Sequence, residues 1–166
     1  MKLTKNLNTL SKIEFLSIFG SIFEKSEWIA SRTYQLKPFN DQEDLINKMM
    51  KIYNNCSEEK ILEIFNLHPK LAIEKKLTNF SSNEQSGAEL DNCTIDELNE
   101  FKKLNLDYKK KFKFPFIIAV KGKNKDEILA NFRKRLNNNY DEEFQEAKKQ
   151  VTKIALLRLH EILSIN

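Results

Sequence analysis

The residues best suited to acid/base chemistry in this 166-residue chain lie in two short segments. His68 precedes Pro69, and because proline disfavours helical geometry at the residue before it, His68 is predicted at the end of a helix. A histidine, with an ordinary pKa near ~6.5, can accept or donate a proton at neutral pH. In the second segment Glu84 and Gln85 offer a carboxylate and an amide, which suit a ring with alternating N–H and C=O groups.

Each of these residues also has an ordinary structural explanation. Most histidines in proteins are structural. The polar stretch from Thr78 to Asp91 predicts a solvated loop with at most one helical turn. Arg158 falls on the apolar stripe of a predicted last helix. Because an unpaired buried charge is costly, its guanidinium must reach a carboxylate, backbone carbonyls or an anionic ligand. An internal salt bridge and a ligand contact both stay open for Arg158.

The elements that must position these residues are predicted to be helices. Glycine and proline occur only three times each, which argues against a β-rich fold. Helix starts are predicted at Ser11, at Asn40 or Asp41, and at Ser57, Thr94 and Asn124. A last helix is predicted from about Asp141 to Leu163.

The apolar run at residues 114–120 has no partner run elsewhere with which to form a sheet, so it is predicted to be a short irregular or extended buried segment. With no repeat and no linker, the chain is predicted to be an all-α, single compact multi-helix domain covering residues 1–166. Residues 1–10 are expected to form a flexible N-terminal extension.

Composition argues against several other classes of protein. The 28 basic and 24 acidic residues are interleaved, which is typical of a solvated surface, so no nucleic-acid partner is expected. Cys56 and Cys93 are isolated and indicate neither a disulfide framework nor a zinc site. No apolar stretch approaches the length of a signal peptide or a membrane span, so we expect no membrane contact and a cytoplasmic protein.

Five ordered blocks together resemble 2-oxo-4-hydroxy-4-carboxy-5-ureidoimidazoline (OHCU) decarboxylases, from about Phe15 to Leu163. The blocks are Pro38-Phe39; His68-Pro69-x-Leu71-Ala72; Ser81-x-x-Glu84-Gln85-x-x-Ala88; Leu104-Asn105-x-x-Tyr108-x-x-x-Phe112-x-Phe114-Pro115-Phe116; and Ile154-Ala155-x-x-Arg158-Leu159. The resemblance implies an all-α homodimer without cofactor or metal that acts in urate degradation, after urate oxidase and hydroxyisourate hydrolase. Its substrate would be OHCU and its product S-allantoin.

The resemblance also implies roles for particular residues. His68 would be catalytic, and Glu84 would act with it. The substrate-binding residues would be Pro69, Ser81, Ser82, Asn83, Glu84, Gln85, Phe116, Ile117, Ile118, Ala119, Val120 and Arg158.

The chain departs from the family pattern at three positions. Lys113 and Glu89 stand where glycine is usual, and Lys70 stands where an acidic residue is common. These changes remove no catalytic group, but they alter the expected backbone geometry and the charge near the pocket. The alternative function is a non-catalytic helical interaction domain. An RNA-binding domain is less favoured because the lysines are spread along the chain rather than gathered with aromatics.

Overall fold

The computed structural model of the chain describes residues 6–73 and 76–164. The all-α prediction is confirmed: these residues form eight α-helices and no strand. The helices are α1 (Lys12–Phe19), α2 (Glu27–Tyr34), α3 (Gln42–Asn54), α4 (Glu58–Asn66), α5 (Asn79–Gly87), α6 (Ile95–Phe112), α7 (Lys125–Arg135) and α8 (Tyr140–Leu163). Within these described residues, no helix is both long and apolar enough to cross a membrane.

Helix starts follow the capping residues that the sequence predicts. Ser11, Thr94 and Asn124 each form a capping box with a glutamate three residues later. Asp41 and Ser57 each accept a hydrogen bond from the backbone N–H three residues on. These side chains satisfy amide groups that the first helical turn leaves without a partner, which is why the local sequence fixes where each helix begins.

By its internal contacts the chain divides into two compact units. The first comprises residues up to Leu67 together with those from Thr152 onward, so it contains α1 to α4 and the C-terminal part of α8. Its core includes the ring of Phe15, 4.7 Å from that of Phe19, and the ring of Phe23, 5.0 Å from that of Tyr53.

The first unit also contains the chain's one tryptophan, Trp28, in α2. The guanidinium carbon of Arg32 lies 4.9 Å from the centre of the Trp28 ring, and the ammonium of Lys60 lies 5.2 Å from it. Both distances are within the range of cation–π attraction. Two cations are therefore held against one indole.

The N-terminal residues that the structure describes are packed, unlike the flexible extension expected for residues 1–10. Leu7 to Thr9 form a 3₁₀ turn, and Leu7 and Leu10 are buried. The Asn8 side chain donates to the Phe39 carbonyl and accepts from the Phe39 N–H, both at 2.7 Å. This double hydrogen bond and the two buried leucines fix the segment. Residues 1–5 of the expected extension lie outside the described residues.

The second unit comprises residues 68–151, with α5, α6, α7 and the first part of α8. The predicted apolar segment is confirmed: residues 114–120 have no regular secondary structure and every one of them is buried. The Phe116 ring stacks on the Phe132 ring with centres 3.8 Å apart and planes 9° apart. Tyr108 meets both rings edge-on. Aromatic packing thus holds the segment against α6 and α7.

Candidate functional site

The segment from Ser81 to Gln85 is helical, and the loop prediction for it was wrong. The Thr78 side chain accepts from the Ser81 N–H and starts α5, a Thr cap that the polar composition concealed. Spacings of three and four residues place Ser81, Glu84 and Gln85 on one side of this helix. Ser81 and Gln85 are buried, and Glu84 is half-buried. The helix therefore gives three of the predicted site residues a common face.

The other predicted members of this segment lie elsewhere on the helix. Ser82 and Asn83 are exposed, so their substrate-binding role stays a prediction.

His68 and Pro69 are half-buried and follow the end of α4 at Asn66, as the His-Pro pair predicts.

Gln85 has the most informative surroundings of the predicted site residues. Its Oε1 accepts a hydrogen bond from the Ala72 N–H at 3.1 Å, which fixes which end of the amide is the oxygen. Its Nε2 is buried and has no hydrogen-bond partner among residues 6–73 and 76–164. A buried donor without a partner costs about 1–3 kcal/mol. This amide is suited to receive a carbonyl or carboxylate oxygen of a ligand.

The backbone of residues 116–120 is held by polar side chains from α7 and α8. Arg135 donates through Nη1 to the Ile117 carbonyl at 2.7 Å, and its guanidinium carbon lies 4.4 Å from the centre of the Phe116 ring. The Ala119 N–H donates to Gln150 Oε1 at 2.9 Å. Because that amide is already bonded within the protein, we expect any main-chain contact of Ala119 with a ligand to use its carbonyl.

Arg135 belongs to a buried network. It forms an ion pair with Glu143 at 2.6 Å, and the two side chains are only 7% and 0% exposed. Tyr108 donates its hydroxyl to the same carboxylate, and Asn138 donates to it at 2.8 Å. Burial, followed by the hydrogen bond to Glu143, raises the pKa of Tyr108 well above its ordinary value. The phenol is thus a fixed donor that holds the carboxylate in place.

The lysine that follows Pro69 changes the charge in this region. Lys109 of α6 has its pKa lowered, first by burial and then by repulsion from Lys70. The two ammonium groups are therefore close enough to interact. The family pattern has an acidic residue after the His-Pro pair, whereas this chain has Lys70 there, near Lys109. The resulting positive charge favours an anionic ligand.

Arg158 is buried in the first unit, and the internal salt bridge considered for it is present. Its Nη2 lies 3.2 Å from Glu24 Oε2, and the two side chains are 2% and 1% exposed. Its Nη1 donates to the carbonyls of Ser21 and Ile22, both at 3.2 Å. These bonds satisfy the requirement for a partner to a buried guanidinium. The substrate-binding role of Arg158 stays a prediction.

Three residues that support the site had no predicted role: Asn105, Arg135 and Glu143. Asn105 stands on the apolar face of α6 between Phe101 and Tyr108, and a buried amide in such a place needs a specific partner. Glu143 lies four residues before Ala147 on the buried stripe of α8. A polar residue on an apolar stripe is the signal that could have identified all three.

Comparison with known proteins identifies the family of this chain. Residues 8–160 match the family model of OHCU decarboxylase. The chain is 42% identical over 158 residues to a uric acid degradation bifunctional protein of Bacillus sp. (strain TB-90), covering 95% of this chain but only 32% of that relative. It is 36% identical over 160 residues to the 2-oxo-4-hydroxy-4-carboxy-5-ureidoimidazoline decarboxylase of Haloferax volcanii, covering 96% of this chain and 95% of that relative.

A solved structure agrees with the match in sequence. The crystal structure of OHCU decarboxylase in the presence of (S)-allantoin superimposes with a TM-score of 0.71 at 28% identity, over 84% of this chain and 92% of that one. The family model matches residues 8–160 of this chain, and the match to the Haloferax volcanii relative covers 95% of that protein. The chain therefore belongs to the OHCU decarboxylase family.

Proposed function

We propose that this protein decarboxylates OHCU to S-allantoin in urate degradation, without a cofactor. Membership of the family gives the reaction. The observation in this chain that carries the proposal is the buried Nε2 of Gln85, on the helix face that also presents Ser81 and Glu84. This donor has no hydrogen-bond partner within residues 6–73 and 76–164. A helical interaction domain would have no use for a buried donor left without an acceptor, because that donor lowers stability.

The substrate itself can hold the electrons that the reaction releases. One ring carbon carries both a hydroxyl and a carboxylate, and the adjacent ring carbon is doubly bonded to nitrogen. When the bond to the carboxylate breaks, CO2 leaves, the electron pair forms a double bond between the two ring carbons, and the nitrogen of the C=N group takes up a proton. The hydroxyl then loses its proton and becomes a carbonyl, and the carbon that bears the ureido group gains a proton. The protein must supply proton transfer and orientation.

His68 is assigned the proton transfer at the substrate hydroxyl, and Glu84 is assigned the orientation of that group or a share in the transfer. Gln85 donates through Nε2 to a substrate oxygen, which uses a donor that has no partner among the described residues. Main-chain groups near Ile118 and Ala119 are assigned to the ureido amides, and contacts on both sides of the ring would restrict protonation to one face. The family resemblance also assigns substrate binding to Pro69 and, separately, to Arg158.

The test generates OHCU in situ from urate with urate oxidase and hydroxyisourate hydrolase, and follows S-allantoin by circular dichroism. We expect the wild-type protein to produce a rapid optical signal and His68→Asn to lose it, because general acid–base groups contribute about 10²–10⁴-fold to rate. His160→Asn is the matched control, since His160 is the second of the chain's two histidines and is exposed on α8.

Two outcomes would contradict the proposal. Slow racemic product at the same rate with and without wild-type protein would remove the decarboxylase activity. A folded His68→Asn variant as active as the wild type would remove His68 from the chemistry.

The proposal includes a homodimer in the cytoplasm, which the family resemblance and the sequence composition support. Sedimentation equilibrium of the purified chain measures the first part, and a monomer at micromolar concentration would contradict it. Fractionation of the source cells measures the second.

A further inference from the structure

One peptide group near His68 is held at both ends by amide side chains. The N–H of Ala72 donates to Gln85 Oε1 at 3.1 Å, and the carbonyl of Leu71 accepts from Asn105 Nδ2 at 3.2 Å. This N–H and this carbonyl belong to the same planar peptide unit. A residue of α5 and a residue of α6 therefore fix its orientation together, and we call this arrangement the Leu71–Ala72 clamp.

The clamp holds the backbone in an unfavourable conformation. Ala72 has a φ of 63°, in the left-handed region that a side chain with a Cβ adopts only at a cost in free energy. Such a conformation persists only where the surrounding contacts enforce it. Without the clamp, the turn would relax toward negative φ and carry the residues before it to a new position.

Asn105 is oriented for this purpose. It is 4% exposed, and its Nδ2 donates both to the Phe101 carbonyl of its own helix, at 2.8 Å, and to Leu71. Its Oδ1 is buried without a hydrogen-bond partner in the described part of the chain. If Asn105 bonded only to its own helix, its amide could turn so that both Nδ2 and Oδ1 found partners. The observed orientation of the amide instead favours the bond from Nδ2 to the Leu71 carbonyl.

We propose that Asn105 is a positioning residue of the decarboxylase, which through the Leu71–Ala72 clamp fixes both the turn that follows His68 and the Gln85 amide. The inference rests on the proposed function, because the residues it positions are those assigned to that reaction. Only Pro69 and Lys70 separate His68 from Leu71, and the fixed φ of proline transmits the orientation of the turn to the histidine.

The first variant is Asn105→Leu, which removes the donor and keeps a side chain branched at the same carbon. We expect kcat to fall roughly tenfold or more with a smaller change in KM, because small displacements of a catalytic group cost up to about 10²-fold. Asn131→Leu is the matched control, since Asn131 makes the same bond to its own helix, to the Glu127 carbonyl, and is placed on α7. We expect its kcat to match that of the wild type.

A second measurement separates positioning from general loss of structure. In ¹H–¹³C spectra the ring resonances of His68 should shift in Asn105→Leu, while those of exposed His160 stay in place. Adding Ala72→Gly to Asn105→Leu should raise kcat about fivefold above that of Asn105→Leu alone, because glycine adopts the left-handed conformation without the clamp. A purely structural role for Asn105 would produce neither result.

A folded Asn105→Leu protein with wild-type kcat and unshifted His68 resonances would overturn the inference. If Asn105→Leu does not fold, Asn105→Ala tests the same lost donor with no added bulk, and the same two results decide. A wild-type protein that forms no S-allantoin would refute the proposed function instead. In that case the His68 resonances of the variants still show whether the clamp exists.

Discussion

The buried ion pair between Arg135 and Glu143 leads to a prediction about stability. Arg135→Leu leaves the Glu143 carboxylate, which is 0% exposed, with the neutral donors Tyr108 and Asn138 as its partners among the described residues. Removing one partner of a buried pair typically costs about 3–5 kcal/mol, since the remaining charge is uncompensated. The Ile117 carbonyl also loses its donor. We therefore expect the free energy of unfolding to fall by about 3–5 kcal/mol.

Urea denaturation of the variants measures this loss. The matched control is Arg133→Leu on the same helix, because Arg133 pairs with Glu100 where the side chains are 55% and 35% exposed. Exposed pairs contribute at most about 1 kcal/mol. Adding Glu143→Gln to Arg135→Leu should restore about 1–2 kcal/mol, because the double variant buries no net charge. A loss in Arg135→Leu no larger than in Arg133→Leu, or a double variant less stable than the single one, would refute the reasoning.

Two further predictions concern backbone strain and alkaline pH. Lys113→Gly should stabilise the protein by about 0.5 kcal/mol, because Lys113 has a φ of 66° at the end of α6 and glycine adopts this conformation more easily. Lys103→Gly within the same helix should instead destabilise the protein by about 1 kcal/mol. Urea denaturation measures both variants, and a Lys113→Gly protein less stable than the wild type would contradict the first expectation. Burial raises the pKa of Tyr53 and of Tyr108 in the folded protein. Above about pH 10 the two tyrosines are therefore deprotonated in the unfolded chain while they stay protonated in the folded one. The free energy of unfolding should then fall as pH rises, by up to about 1.4 kcal/mol per pH unit for each tyrosine. Tyr108→Phe should show a shallower fall between about pH 10 and 11, and an unchanged slope would be evidence against this coupling.

The sequence predicts the helices well where the signal is local. Capping residues and the apolar period gave α3, α4, α6, α7 and α8 within a few residues, because both act within one or two turns. An apolar residue in a first turn need not be buried: Ile13 and Ile95 are 83% and 79% exposed. Helix α5 was missed because its sequence contains a single apolar residue, Phe80, among serine, asparagine and glycine.

For the candidate site, the sequence provides a list of predicted residues but not their arrangement. The His-Pro pair and the block from Ser81 to Gln85 are recognisable in the sequence, but the helix that buries Gln85 was not predicted. The bonds that organise them join residues far apart in the chain, such as Asn105 with Leu71 and Arg135 with Ile117. No periodicity within one element specifies such pairs, so only the packing of one helix against another segment reveals them.

Trp28, against which two cations are held, can serve as a fluorescence probe of unfolding. It is the chain's one tryptophan and lies in the first unit, while the large aromatic cluster around Tyr108 lies in the second. Tryptophan emission during denaturation therefore reports only on the first unit, whereas far-ultraviolet circular dichroism averages all the helices. Coincident transitions by the two signals would indicate one cooperative domain, as expected from the sequence, and separated transitions would reveal two independently melting parts.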